Sequence, residues 1–172
     1  QRRLPHWLFG GRGGRQRTRF ALRNAIEREF LYRGVSSLEI KAVDLIQDTD
    51  AVQVEFYATP VHTHDDRLKY TPWTALFVEQ VMADACRVLR AVWAEAPSLE
   101  VVTLKVFRRT RETPAADETI LLLHATGDAV KRVVLRAGKG ASAALLQRCD
   151  VRYDFDPRQG LRGLALESDV QA

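Results

Sequence analysis

The hydrophobic positions of this chain alternate between helical and strand-like spacing. Between Thr18 and Arg33 apolar residues recur every three to four positions and Gly34 follows, so a helix is predicted there. Residues 37–60 hold two β-rich runs on either side of residues 48–50, and in the second run apolar and polar residues alternate. This pattern predicts a β-hairpin after the first helix.

The same order of elements repeats in the next part of the chain. A strongly apolar helical pattern begins with Thr71 as N-cap and Pro72 in the first turn, and it stops before Pro97. Residues 98–107 and 118–127 then predict two strands, and a charged loop that contains Arg108 and Arg109 joins them as a solvated tip. Short helices are predicted after them at 128–137 and 142–149.

These elements predict an α+β fold with the order helix–hairpin–helix–hairpin. Two hairpins and two amphipathic helices make a two-layer sandwich, with a mostly antiparallel four-stranded sheet covered on one face and short C-terminal helices. The segments SLEI at 37–40 and SLEV at 98–101 open the first strand of each hairpin. They indicate a possible duplication of a helix–strand–strand unit.

Charge divides the chain into two regions. The 172 residues carry a net charge of +4, yet residues 1–19 contain six arginines and no acidic residue. The remainder carries 20 basic against 22 acidic residues, so the positive excess lies before Phe20. We therefore predict a basic Arg/Gly arm or tether at 1–19 and a single domain at 20–172.

The arm is not a Walker A loop, because no lysine follows its glycines and no strand precedes them. Its arginines and its tryptophan instead suit a polyanion. The juxtamembrane interpretation places them at lipid head groups, and the alternative places them on RNA. A third interpretation is a solvated linker. The candidate polyanion-binding residues are Arg2, Arg3, Arg12, Arg15, Arg17, Arg19 and Trp7.

The segment HTHDD is the clearest chemical cluster of the body. His62 and His64 are two residues apart, so on an extended backbone both point the same way, and Asp65 or Asp66 adds a carboxylate. This pattern predicts a candidate metal site. A solvated loop is the alternative, because no third histidine or cysteine lies nearby in sequence.

The remaining observations favour a protein that is not an enzyme. No nucleophile elbow and no cofactor-binding motif occurs, and Cys86 and Cys149 lack metal-type spacing, as expected of free thiols in an intracellular protein. We expect a binding or assembly domain with a protein partner, held near a membrane by an anchor upstream of Gln1. One alternative is a ribonucleoprotein component. The other is a small metal-dependent enzyme built on the His62/His64 loop. No cofactor is predicted.

Overall fold

The computed structural model describes residues 12–31, 38–46, 49–110, 117–136 and 147–165. It confirms the α+β class, with three α-helices on one side of a mixed six-stranded sheet. The elements, in chain order, are α1 (Arg12–Leu31), β1 (Ile40–Leu45), β2 (Ala51–Tyr57), a short 3₁₀ helix (Asp66–Lys69), α2 (Trp73–Glu95), β3 (Val101–Arg108), β4 (Glu118–Thr126), α3 (Asp128–Arg136), β5 (Asp150–Asp156) and β6 (Gly160–Arg162).

The sheet has six strands rather than the four predicted, and it is mostly antiparallel with one parallel pair. The six strands lie in chain order, and all neighbours are antiparallel except β2 and β3, which are parallel. The cause is α2, which carries the chain from the end of β2 back to the other end of the sheet before β3 begins. Two hairpins joined by a crossover helix therefore meet in a parallel pair.

The alternation in β2 and β3 explains why the sheet has one covered side. Val54 and Leu104 are register partners and both are fully buried, whereas Glu55 and Lys105 next to them are only half-buried. The buried residues of the sheet join those of α1 and α2 in one hydrophobic core. The helices of the described part of the chain lie on this side, and we call the opposite surface the open face.

The helix α2 is the centre of the helix layer, as its wide apolar pattern predicts. It is framed by Pro72 at the N-cap and Ala96 at the C-cap, close to the predicted limits. At its end the indole of Trp93, fully buried, donates a hydrogen bond of 3.1 Å to the carbonyl of Leu99. No helix in the described part of the chain is both long and apolar enough to cross a membrane.

The helix α1 begins at Arg12, six residues before the predicted start at Thr18. The second half of the proposed arm is therefore helical, although Gly13 and Gly14 disfavour a helix by propensity. Within the helix Thr18 donates to the carbonyl of Gly14 at 3.0 Å, and Arg19 makes a tertiary contact, 3.7 Å from Asp44 on β1. Residues 1–11 of the arm lie outside the described residues.

The C-terminal part of the fold differs most from its prediction. The helix α3 forms where residues 128–137 predict it, but the predicted helix at 142–149 lies largely outside the described residues. The strands β5 and β6 were not predicted. The order α1–β1–β2 does recur as α2–β3–β4, but the four strands have 6, 7, 8 and 9 residues, so the duplication is not matched in detail.

Candidate functional site

The histidine loop lies between β2 and the 3₁₀ helix, and its polar groups already contact one another. The rings of His62 and His64 are 5.5 Å apart, and the backbone N–H of His64 donates to Nδ1 of His62 at 3.2 Å. Asp65 accepts two hydrogen bonds from the Arg67 side chain at Oδ2, at 2.7 and 3.2 Å, and these bonds hold its pKa down at about 2. Asp66 lies 3.4 Å from Lys69.

This arrangement lacks a third metal ligand. His124 is paired with Thr103 near the start of β3, whereas His62 follows the end of β2, so the parallel pair places them at opposite ends of the sheet. Among the described residues, no three His, Cys, Asp or Glu side chains lie close enough together to hold a metal ion. The cations beside Asp65 and Asp66 occupy the lone pairs that a metal would use.

The described arginine side chains of the arm lie on different sides of α1. Arg2, Arg3 and Trp7 lie outside the described residues, and of Arg12 only the backbone is described. Arg15 is half-buried, and Arg19 approaches Asp44. Arg17 lies on another side of the helix, is exposed, and has no ion-pair partner among the described residues. The helix thus separates residues that the sequence alone groups together.

Arg17 belongs instead to a face that its position in the sequence does not reveal. Residues three, seven, eleven and fourteen positions further on project in the same direction from an α-helix. We call this set the outward face of α1, and it consists of Arg17, Phe20, Asn24, Arg28 and Leu31. Phe20 and Leu31 are 67% and 63% exposed, more than any other large apolar side chain in the described part of the chain except Tyr70.

The second candidate site lies on the open face, at the end of the sheet where β2 and β3 finish. It combines two cations, two aromatic rings and two carboxylates from four segments of the chain. We call it the open-face cluster, and its members are Glu39, Lys41, Tyr57, Phe107, Arg109 and Asp117.

Two irregularities of the sheet build this cluster. The register of β1 against β2 shifts between Ile40 and Ala42, and the register of β3 against β4 shifts between Val106 and Phe107. A bulge re-aims side chains and is frequent beside binding sites. The first bulge brings the ammonium of Lys41 onto the open face, 4.1 Å from the centre of the Phe107 ring.

The aromatic floor of the cluster is buried without belonging to the core. Phe107 is only 7% exposed, but it is not part of the hydrophobic cluster between helices and sheet. Its ring instead lies 6.2 Å from that of Tyr57, and the guanidinium of Arg109 stacks 4.4 Å above the Tyr57 ring. Arg109 also pairs with Glu39. The predicted solvated tip is wrong for Arg108, which belongs to β3 and pairs with Glu118, whereas the Arg109 side chain is 62% exposed.

Asp117 occupies the centre of the cluster. Its Oδ2 accepts a 2.7 Å hydrogen bond from the Tyr57 hydroxyl and lies 3.4 Å from Nζ of Lys41. The bond from Tyr57 and the nearby ammonium of Lys41 lower the pKa of Asp117, and the same carboxylate raises the pKa of Tyr57. The arrangement is therefore a carboxylate receptor with two donors, filled by a residue of the same chain.

The cysteines do not offer nucleophilic chemistry. Cys86 and Cys149 are free thiols packed against the core. Burial, with a smaller contribution from the thiol of Cys149, raises the pKa of Cys86 to about 12, so it is protonated at neutral pH.

Comparison with protein-family models, with curated proteins and with solved structures found no match for this chain.

Proposed function

We propose that this protein is a non-enzymatic binding domain that docks on an anionic membrane surface through the outward face of α1. The observation that carries the proposal is the alternation of exposed apolar and basic side chains on that face. Phe20 and Leu31 are both more than 60% exposed. Arg28 lies between them along the face, and Arg17 lies one turn before Phe20. An interfacial helix has this composition, with apolar groups for the acyl boundary and arginines for the head groups.

Leu31 favours a lipid surface over RNA as the polyanion. An aromatic residue beside arginines suits both, since Phe20 can stack on a base or enter the lipid interface. Leu31 lies eleven residues further along α1, about 16 Å away at the rise of a helix. A branched aliphatic side chain gains nothing from base stacking, but it gains free energy when it leaves water for lipid.

The expected binding is moderate and depends on salt. Each arginine near an anionic leaflet contributes about 1 kcal/mol, and partial burial of Phe20 and Leu31 adds to this. Arg28 lies 3.8 Å from Glu95 but its side chain is 72% exposed, so this weak pair leaves it accessible. We expect Arg2, Arg3 and Trp7 to add to the affinity. An intracellular location and an anchor upstream of Gln1 stay predictions.

Sedimentation with vesicles tests the proposal. The protein should bind phosphatidylcholine vesicles that contain about one-third phosphatidylserine and should not bind pure phosphatidylcholine, because the arginine contribution needs an anionic leaflet. The double variant Arg17→Glu/Arg28→Glu should lower the partition coefficient at least tenfold. Phe20→Ser/Leu31→Ser should also lower the partition coefficient. The size of this decrease should depend less on salt, since that pair contributes apolar area rather than charge.

The matched control is Arg132→Glu/Arg136→Glu, which changes the net charge equally at two exposed residues of α3. If this control lowers vesicle binding as much as Arg17→Glu/Arg28→Glu, net charge rather than the outward face of α1 determines binding, and the proposal fails. Binding of single-stranded RNA that is lost in the α1 variants, with no binding to vesicles, would instead support the ribonucleoprotein alternative.

A further inference from the structure

We propose that Lys41, Tyr57 and Arg109 form a carboxylate-binding site on the open face, that the chain's own Asp117 fills it in this structure, and that an acidic segment of a partner protein takes the place of Asp117. This site lies on the opposite side of the sheet from the helix layer, so it is independent of the outward face of α1 and does not rest on the proposed membrane binding.

The geometry around Asp117 is that of ligand recognition. A carboxylate oxygen receives one short hydrogen bond from a phenol and one charge-assisted contact from an ammonium, at 2.7 and 3.4 Å. The Asp117 side chain is only 13% exposed, so these contacts are partly shielded from water. Charge-assisted bonds of this kind are about twice as strong as neutral ones.

The sheet holds Lys41 and Tyr57 of the receptor, whereas Arg109 follows the end of β3 and the occupant Asp117 precedes β4. Tyr57 and Phe107 are register partners in the parallel ladder, and the bulge at Lys41 fixes the ammonium above them. Asp117 precedes β4, which begins at Glu118, and so makes no ladder contact of its own. A rigid receptor with an occupant outside the ladder permits exchange with an external carboxylate.

Charge complementarity identifies the partner as an acidic peptide segment. With Asp117 displaced, the site presents the ammonium of Lys41 and the guanidinium of Arg109, which pairs with Glu39. The aromatic rings beneath them contact the methylene groups of a glutamate or aspartate side chain. Gln53 and Thr103, four residues along the strands from Tyr57 and Phe107, carry amide and hydroxyl groups that could bond a peptide backbone if they exchange their present partners Glu55 and His124.

Competition by Asp117 sets the expected affinities. While Asp117 occupies the site, an external carboxylate cannot bind. The apparent affinity of the external ligand is therefore its intrinsic affinity multiplied by the fraction of time for which the site is open. A blocked poly-glutamate peptide should therefore bind the wild-type protein weakly. Asp117→Ala should bind it about tenfold more tightly, a difference of about 1.4 kcal/mol. The protein is titrated with each peptide, and binding is measured from the changes in the NMR signals of Lys41 and Tyr57. A blocked poly-glutamine peptide is the uncharged probe.

Matched variants decide between a binding site and a structural brace. On the Asp117→Ala background, Lys41→Met should remove the gain in affinity, whereas Lys105→Met, a lysine elsewhere on the open face, should preserve it. Asp117→Asn keeps the size of the side chain, so it carries the test if Asp117→Ala does not fold. Asp150→Asn removes a carboxylate elsewhere on the open face and should leave peptide affinity nearly unchanged.

Four results would overturn the proposal. The first is peptide affinity that stays at the wild-type level in both Asp117 variants. The second is equal binding of poly-glutamine and poly-glutamate. The third is a gain in affinity that survives Lys41→Met. Perturbation of Lys41 and Tyr57 by phosphatidylserine vesicles but not by the peptide would also overturn it, because the site would then recognise lipid head groups.

Discussion

Asp84 lies on the side of α2 that the fold buries, and it is 3% exposed. Arg87, three residues further along the helix, places its Nη1 3.2 Å from Oδ1 of Asp84. Burial outweighs this pair, because it raises the pKa of Asp84 from 3.8 to about 6. At neutral pH the protein therefore holds an ionised carboxylate that its surroundings disfavour.

We predict that Asp84→Asn raises the free energy of unfolding at pH 7 by about 1–3 kcal/mol, since each pKa unit corresponds to about 1.4 kcal/mol. The folded protein binds the Asp84 proton more tightly than the unfolded chain does. Wild-type stability should therefore fall as the pH rises from about 4 to 6, and the variant should lack this slope. Urea unfolding at several pH values measures both effects.

The control for Asp84 is Asp44→Asn, at an exposed carboxylate that lies near Arg19. This substitution should change stability by less than about 0.5 kcal/mol, as surface ion pairs usually do. A loss of stability in Asp84→Asn at pH 7 would show that the bond from Arg87 outweighs the cost of burying the charge, contrary to the prediction.

The helix α1 carries two phenylalanines with opposite surroundings. Substituting each one separates the contribution of the helix to protein stability from its contribution to membrane binding. Phe30 is 1% exposed within the core, and Phe20 is 67% exposed on the outward face. Phe30→Ala should lower the free energy of unfolding by about 3–5 kcal/mol, because it leaves a cavity. Phe20→Ala should change it by less than about 0.5 kcal/mol while it weakens vesicle binding.

Chemical denaturation and vesicle sedimentation of the same two variants make the comparison. The reverse result, with a stability loss of more than about 2 kcal/mol in Phe20→Ala, would show that residues before or after the described part of α1 cover its outward face. In that case the exposed phenylalanine would contribute to folding rather than to membrane binding.

The helices and strands that the sequence predicts well are those whose limits are determined by the local pattern of residues. Strand β2 and helix α2 form close to their predicted limits because alternation, Pro72 and Pro97 act locally. Strand β5 is not among the predicted elements, although Val151, Tyr153 and Phe155 alternate with charged residues. The early start of α1 was missed because tertiary contacts override the low helix propensity of glycine.

The candidate sites depend on what the sequence cannot show. The four segments that supply Lys41, Tyr57, Arg109 and Asp117 are brought together by two bulges and by the parallel pair. The first bulge has a local sign, since the apolar positions change face near Ala42 and Val43, but the second bulge and the parallel pair have none. The outward face of α1 could have been found, because the spacing of Arg17, Phe20, Arg28 and Leu31 is visible once the helix is known to begin at Arg12.

At the scale of the whole molecule, the parallel pair of β2 and β3 joins the two helix–strand–strand units through the core. Val54 and Leu104 are register partners at its centre and are both fully buried. The helix layer presents the proposed membrane surface, and the open face presents the proposed peptide site on the other side. A rigid sheet between them would hold a bound partner at a fixed height above the membrane.

We therefore predict that the two units unfold together. Leu104→Ala should lower the free energy of unfolding by about 2–5 kcal/mol and Val54→Ala by about 2 kcal/mol. Each should shift a single transition that far-ultraviolet and near-ultraviolet circular dichroism report identically. Because the two side chains are neighbours, the double variant should deviate from additivity by about 0.5–3 kcal/mol.

The pair Val54→Ala/Leu161→Ala is the control, because β6 lies four strands from β2, about 19 Å at the usual strand spacing. Both residues are buried, but their effects should add within about 0.5 kcal/mol. Two separate transitions, one shifted by Val54→Ala and the other by Leu104→Ala, would contradict the prediction. The units would then be independent modules, and the distance between membrane surface and peptide site would no longer be fixed by the sheet.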